Sequence, residues 1–379
     1  MTEHRSSDDT VTPFRIEIPD EALADLRRRL DGARWPDAEA VPDWSQGVPL
    51  SYVRELGEHW AHAYDWRAVE KRLNDLPQFR TEIDGLGVQF LHVRSPHPDA
   101  LPLLITHGWP GSVAEFTDLV KPLTEPEDPA HAFHLVIPSL PGYGFTDRPS
   151  GPGWGVERIA DAWSELMRRL GYERYAAHGG DWGAFVTAQL GHSDAARLAG
   201  IHVTMAFAAP PEGQVELDAR DYAGLAALKT FQAQESGYST LQATRPQTLG
   251  YGLADSPVAQ LAWIAEKFWS WTDHDGDLEQ AVPRERLLDT ASLYWLTNTG
   301  TSSARLYWES HHKVPMHRVE VPTGVTVFPK DVRMPRPWIE GRFTDLRHWR
   351  DAEHGGHFPA IECPDVLVDE LRSFFGPLR

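Results

Sequence analysis

From Leu101 onward the chain alternates short apolar runs with helical segments, and this rhythm restricts the accessible folds more than any other feature. LPLLITHG, FHLVIPSL, YERYAAHGG and GIHVTMA read as buried strands, with helices such as VERIADAWSELMRRLG between them. Continuous apolar strands separated by helices predict a largely parallel α/β sheet covered on both faces. Residues 210–310 break the rhythm, being helical, rich in Trp and Tyr and interrupted by loops, as expected of an insertion. The strand pattern resumes at VPTGVTVFP, and another strand is expected before EHGGHF.

The segment ahead of this region reads differently. In IPDEALADLRRRLDGARWPD, Leu23, Leu26 and Leu30 recur at helical spacing, Asp20 is placed to cap, and Trp35-Pro36 closes the pattern. A second helical stretch, SYVRELGEHWAHAYDWRAVEKRLNDL, leads into FRTEIDGLGVQFLHVRS, which alternates as two strands around Asp84-Gly85. The expected organisation is an α-rich N-terminal segment at 1–96, a first half of the sheet domain at 97–209, a helical lid at 210–310 and a second half at 311–379.

Composition narrows the partners. A formal net charge of −19 opposes nucleic-acid binding, which needs a basic surface. One cysteine, Cys363, excludes an intramolecular disulfide and any multi-cysteine metal site. The polar N-terminus lacks a signal-type apolar run, and no segment has the ~18 apolar residues of a membrane span. A cytoplasmic protein without a membrane anchor is expected, and a homo-oligomer is compatible with this reading.

Chemistry concentrates at the ends of the strands. HGGDWGA places Asp181 where a small-x-nucleophile-x-small turn usually holds serine. A carboxylate attacks esters and amides poorly, but it can open a strained ring or displace halide at saturated carbon. HGWP, after the strand LPLLIT, supplies an early loop whose main-chain N–H at Trp109 would join that of Trp182 as an oxyanion hole. His357 in GGHF is the candidate base. Asp331, at the end of VPTGVTVFPKD and 26 residues before His357, is the candidate acid, with Asp345, Asp351 and Glu353 as rivals. Taken singly, each element also fits an ordinary turn or a structural histidine; their order along the chain favours a site.

These motifs resemble a known family. HGWPGS, GGDWG, VPTG…FPKD and GGHFPA are similar to the epoxide hydrolases of the α/β-hydrolase superfamily, on the microsomal and juvenile-hormone side. FRIEIPDEALADLRRRL and YDWRAVEKRLNDLPQF resemble that family's N-terminal domain, so the likeness covers nearly the whole chain. The resemblance implies an α/β-hydrolase fold with a helical lid, an Asp nucleophile, a His–acid pair and two lid tyrosines. SGYSTLQATRPQTLGYGLADSP places the first at Tyr238, with Tyr251 in reserve, and LYWLTNTGTSSARLYWE places the second at Tyr307. The acid is often Glu in microsomal-type members, so Asp331 is a shorter variant. The implied substrate is a small apolar epoxide, hydrolysed to a vicinal diol without metal or organic cofactor.

Two alternatives share the same residues. A dehalogenase would use the same nucleophile and base, with indole N–H groups holding halide. A catalytically silent ligand sensor would be expected to have lost a triad member. Trp263, Phe268, Trp269, Trp271, Trp295 and Trp308 are candidates for an apolar pocket or for lid packing. TDHDGDLE resembles a calcium loop, but its glycine is fourth rather than sixth, and a solvated loop is favoured. His311, His312 and His317 match no metal-ligand spacing and are read as surface residues.

Overall fold

The computed structural model describes residues 9–311 and 313–379; the extreme N-terminus and His312 of the histidine group considered above lie outside them. Nine strands form one sheet among the described residues: β1 (Thr12–Pro13), β2 (Gln78–Ile83), β3 (Leu86–Val93), β4 (Leu101–Thr106), β5 (Phe133–Pro138), β6 (Tyr175–Gly179), β7 (Leu198–Val203), β8 (Thr323–Val327) and β9 (Leu346–Asp351). Their spatial order is β1-β2-β3-β5-β4-β6-β7-β8-β9. The first four are joined antiparallel, and every pair from β5 to β9 is parallel.

Alternation along the strands assigns the two faces. Leu103 and Ile105 of β4 join Ala176 of β6 in one core, with the helices Thr117–Thr124 and Pro364–Phe375. Leu104 and Ala177 point the other way, into a larger core with helices Val156–Arg169 and Trp182–Ser193. The former helix buries Val156, Ile159, Ala160, Trp163, Leu166 and Met167, a stripe at helical spacing.

The N-terminal segment differs in detail from its sequence reading. Asp20 does not cap: the helix runs Asp20–Asp31 behind Pro19, with no side-chain cap bond, and the Asp20 carboxylate instead pairs with Arg67. Gly32 follows the last helical turn, so the helix stops ahead of Trp35-Pro36. Thr12–Pro13 forms an edge strand on β2, which the sequence pattern did not suggest. The hairpin turns at Asp84 and Gly85, both at positive φ, and extends the main sheet through the pairing of β3 with β5.

The order of strand addition reverses at β4, which lies between β5 and β6, parallel to both, although β5 follows it in sequence. The carboxyl ends of β4 and β6 therefore open side by side at a switch point, where α/β sheets bind ligands. Helices spanning Ala219–Ser310 fold over that end. No helix among the described residues is long and apolar enough to cross a membrane.

Candidate active site

Asp181 sits between β6 and the helix Trp182–Ser193, at φ 49° and ψ −130°. This turn depends on close backbone approach. A side chain at Gly183 would strike the Thr106 carbonyl oxygen, and one at Gly108 would strike Asp181 itself. The helix N-terminus directs its partial positive charge at the carboxylate.

The Trp109 main-chain N–H donates to Asp181 Oδ1 at 2.7 Å. His107 fixes the Trp109 loop: its Nε2 accepts from Leu140 N at 3.1 Å, leaving Nδ1–H to donate to the Gly108 carbonyl at 3.0 Å. Burial raises the pKa of Asp181, opposed by the His357 charge and the main-chain N–H groups of Trp182 and Trp109.

His357 Nε2 lies 3.6 Å from Asp181 Oδ2, and its Nδ1 lies 3.0 Å from Asp331 Oδ1. Burial pulls the imidazole down, but Asp331, Asp181 and Glu115 together hold it up, at about 9. The loops carrying the pair are tied together, since Lys330 N donates to the Gly355 carbonyl and His357 N to the Trp271 carbonyl. The rival acids are otherwise engaged: Asp351 pairs with Arg220 and Arg333, and Asp345 with Arg347. Glu353 is exposed.

Tyr238, on the helix Gly237–Thr244, and Tyr307, on Gly300–Ser310, project into the same space. The Tyr238 ring stacks on Trp109 with centroids 5.0 Å apart, and Tyr307 meets Trp182 edge-on at 4.9 Å. The Tyr307 hydroxyl is buried beside that of Tyr238, with which it interacts. Burial and the nearby Asp181 charge push both phenols up, so both remain protonated donors. The reserve candidate Tyr251 is exposed, as is Tyr222, and buried Tyr294 donates to the Gly111 carbonyl at 3.0 Å.

Asp181, Asp331, His357, Tyr238, Tyr307 and Trp182 line one cavity of about 800 Å³. Of the aromatics suggested for a pocket, Trp269 and Trp271 line it, whereas Trp308 is largely exposed and borders a separate surface cleft. The TDHDGDLE carboxylates have main-chain partners: Asp273 accepts from Gly355 N, in the segment that carries His357, and Asp277 from Glu279 N within the loop. No group of three or more His, Cys, Asp or Glu side chains among the described residues is arranged to hold a metal.

Two residues near the site carried no signal in the sequence. Glu115, on the turn Val113–Phe116, acts electrostatically on both Asp181 and His357. Lys267 is buried beside Glu266, with its ammonium 4.6 Å from the Tyr238 ring centroid, a cation–π arrangement.

Comparison with known proteins identifies the setting of these residues. Residues 11–116 match the family described as epoxide hydrolase N terminus, and residues 102–307 match the alpha/beta hydrolase fold. A provisionally named epoxide hydrolase of Stigmatella aurantiaca is 50% identical, covering 97% of this chain and 86% of its own. Epoxide hydrolase 1 of Sus scrofa is 34% identical, covering 99% and 90%. The structure of Aspergillus niger epoxide hydrolase superposes with a TM-score of 0.90 at 35% identity, covering 99% of this chain and 98% of that one. With an aspartate at the elbow and likeness along almost its entire length, this chain belongs to the epoxide hydrolase family of the α/β-hydrolase fold.

Proposed function

We propose that the protein hydrolyses apolar epoxides to vicinal diols through a covalent ester on Asp181. The observation that carries this reading is the placement of the Asp181 carboxylate between the Trp109 N–H and His357, facing two phenols across an aromatic cavity. Asp181 Oδ2 attacks a ring carbon from the side opposite oxygen, and the C–O bond breaks. Tyr238 and Tyr307 donate to the oxygen as negative charge develops. His357, oriented by Asp331, then takes a proton from water as that water attacks the Asp181 carboxyl carbon. Charge on the resulting tetrahedral intermediate falls against the N–H groups of Trp109 and Trp182. Collapse releases the diol and restores the carboxylate. No step requires a metal or organic cofactor. In this scheme residues 210–310 act as the lid, 97–209 and 311–379 build the sheet domain, and 1–96 form the N-terminal domain.

A displacement site of this kind also suits halide, which indole N–H groups hold well; the buried Nε1 atoms of Trp182 and Trp271 have no partner among the described residues. The test is purified protein with styrene oxide and, in parallel, a short chloroalkane, measuring diol and chloride. Diol formation without chloride release is expected, because the two phenols suit a leaving oxygen that stays tethered and needs a proton. Chloride release without diol would overturn the proposal.

A further inference from the structure

Among the described residues, Lys267 is the only buried lysine. It lies on the helix Pro257–Trp271, and its ammonium pairs with Glu266. The Lys267 side chain is 2% exposed and that of Glu266 is 32% exposed. The pair therefore keeps its positive end inside the protein and turns its negative end toward solvent, where water weakens the opposing field. Burying an ammonium is costly even when it is paired, and an apolar side chain would pack the lid at lower cost.

What the ammonium faces accounts for its presence. Lys267 Nζ lies 4.6 Å from the Tyr238 ring centroid and 5.9 Å from that of Trp271, four residues further along the same helix. Trp109 stacks on Tyr238 and fixes the ring. A cation is attracted to the electrons of an aromatic face, and the attraction grows when the ring oxygen becomes anionic. Tyr307 differs: no lysine or arginine lies over its ring among the described residues. Burial raises both phenols, but the contact between their hydroxyls holds Tyr238 down and pushes Tyr307 further up.

We propose, building on the ring-opening step given above, that Lys267 is a positioning residue that acts through Tyr238 and makes it the phenol that gives its proton to the epoxide oxygen. The bond from Asp181 Oδ2 to carbon forms as the epoxide carbon–oxygen bond breaks, and the electron pair passes to that oxygen. The Tyr238 hydroxyl proton moves onto it, and the charge left on the phenolate lies in the field of the Lys267 ammonium. Tyr307 donates a hydrogen bond to the same oxygen and keeps its proton. Once the ester forms, His357 releases a proton to solvent and the phenolate takes one back, so the protons of the site balance. Ester hydrolysis develops its charge against the Trp109 and Trp182 N–H groups and does not draw on Lys267.

Rapid quench and mass spectrometry of the full chain with styrene oxide, in single turnover, follow ester formation and ester decay separately. Lys267→Met is expected to slow ester formation by roughly 5- to 30-fold, the strength of a cation–π contact shielded from water, and to leave decay within about twofold. Lys267→Arg, which keeps the charge, should bring ester formation back to within about threefold of wild type. In the Tyr238→Phe background, Lys267→Met should cost less than about twofold, whereas in the Tyr307→Phe background it should keep its full effect. A purely structural lysine would give the same loss in both backgrounds and in both steps. If Lys267→Met does not fold, Lys267→Gln carries the same comparison, and Glu266→Gln, which removes only the opposing charge, should form the ester at least as fast as wild type. Wild-type ester formation in Lys267→Met, no recovery in Lys267→Arg, equal loss in the two tyrosine backgrounds, equal slowing of both steps or slower ester formation in Glu266→Gln would overturn the inference. Unchanged ester formation in Tyr238→Phe would instead remove the phenol from the ring-opening step, and the inference with it.

Discussion

In a single turnover in ¹⁸O-enriched water, with enzyme in excess, the diol is expected to leave almost unlabelled while Asp181 acquires one labelled oxygen. The expectation follows from which atom water attacks. If Asp181 opens the ring, its own carboxylate oxygen becomes a diol oxygen, and water replaces that oxygen only when the ester is hydrolysed. If Asp181 instead acted as a general base for direct attack of water on the epoxide, the label would appear in the diol and the peptide would stay unlabelled. Replacing Asp181 by Asn cannot separate these routes, because both need the carboxylate. Geometry favours the first: the Asp181 side chain lines the cavity from the head of a helix, and the Trp109 N–H already binds the oxygen that would carry the tetrahedral charge. A labelled first-turnover diol would exclude the ester.

The second large effect is expected for His357→Gln, which should lower steady-state turnover by about 10²–10⁴-fold, the usual contribution of general-base catalysis. Gln retains polarity and much of the volume but cannot take a proton from water. Ring opening needs no base at this position, so the ester should accumulate and appear as an intact-protein mass increase equal to the substrate. A folded variant that is slow yet never traps the adduct would show that the histidine serves ring opening instead.

The charge of His357 adds a pH signature. In the free enzyme it is held at about 9, and Asp181 is one of the anions responsible. Esterification removes that anion, so the imidazole pKa falls when the ester forms and the histidine is released as a base. Ester formation should therefore persist at pH values where the free-enzyme histidine is protonated, whereas ester decay should rise with pH through an apparent pKa below 9. Single-turnover rates across pH check this, and identical profiles for both steps would contradict it. The sign for stability is different: a raised histidine pKa contributes stability fully below its unfolded value of about 6.5, and that contribution is lost as pH rises through about 9.

The strand ends were legible in the sequence because their signals are local. An apolar run, a Gly-rich turn and a helix start lie within a few residues of Asp181, and the same holds for HGWP after β4. The carboxylate beside His357 was harder to pick out, since the arginines that occupy the rival Asp351, Arg220 and Arg333, lie on other elements and come together only in the fold. Periodicity cannot rank lid tyrosines either. Tyr251 sits in a helix as Tyr238 does, yet it is 71% exposed, whereas Tyr238 is 8% exposed against Trp109. Family resemblance, rather than spacing, pointed to the two helices whose tyrosines line the cavity with Asp181. Glu115 and Lys267 remained invisible because their surroundings are assembled entirely by tertiary packing; in the sequence each is a charged residue in an ordinary helical or turn context.

One consequence of the elbow concerns durability. Asp181 is a non-glycine residue at φ 49° with its carboxylate buried, and such a backbone costs about 1–3 kcal/mol. A whole domain is stable by only about 5–15 kcal/mol. The proposed nucleophile therefore occupies a strained stretch of backbone, and part of the fold's resistance to heat is forgone to keep it there. Hardening this enzyme is best done in regions remote from residue 181, because relaxing that turn would move the carboxylate proposed as the nucleophile.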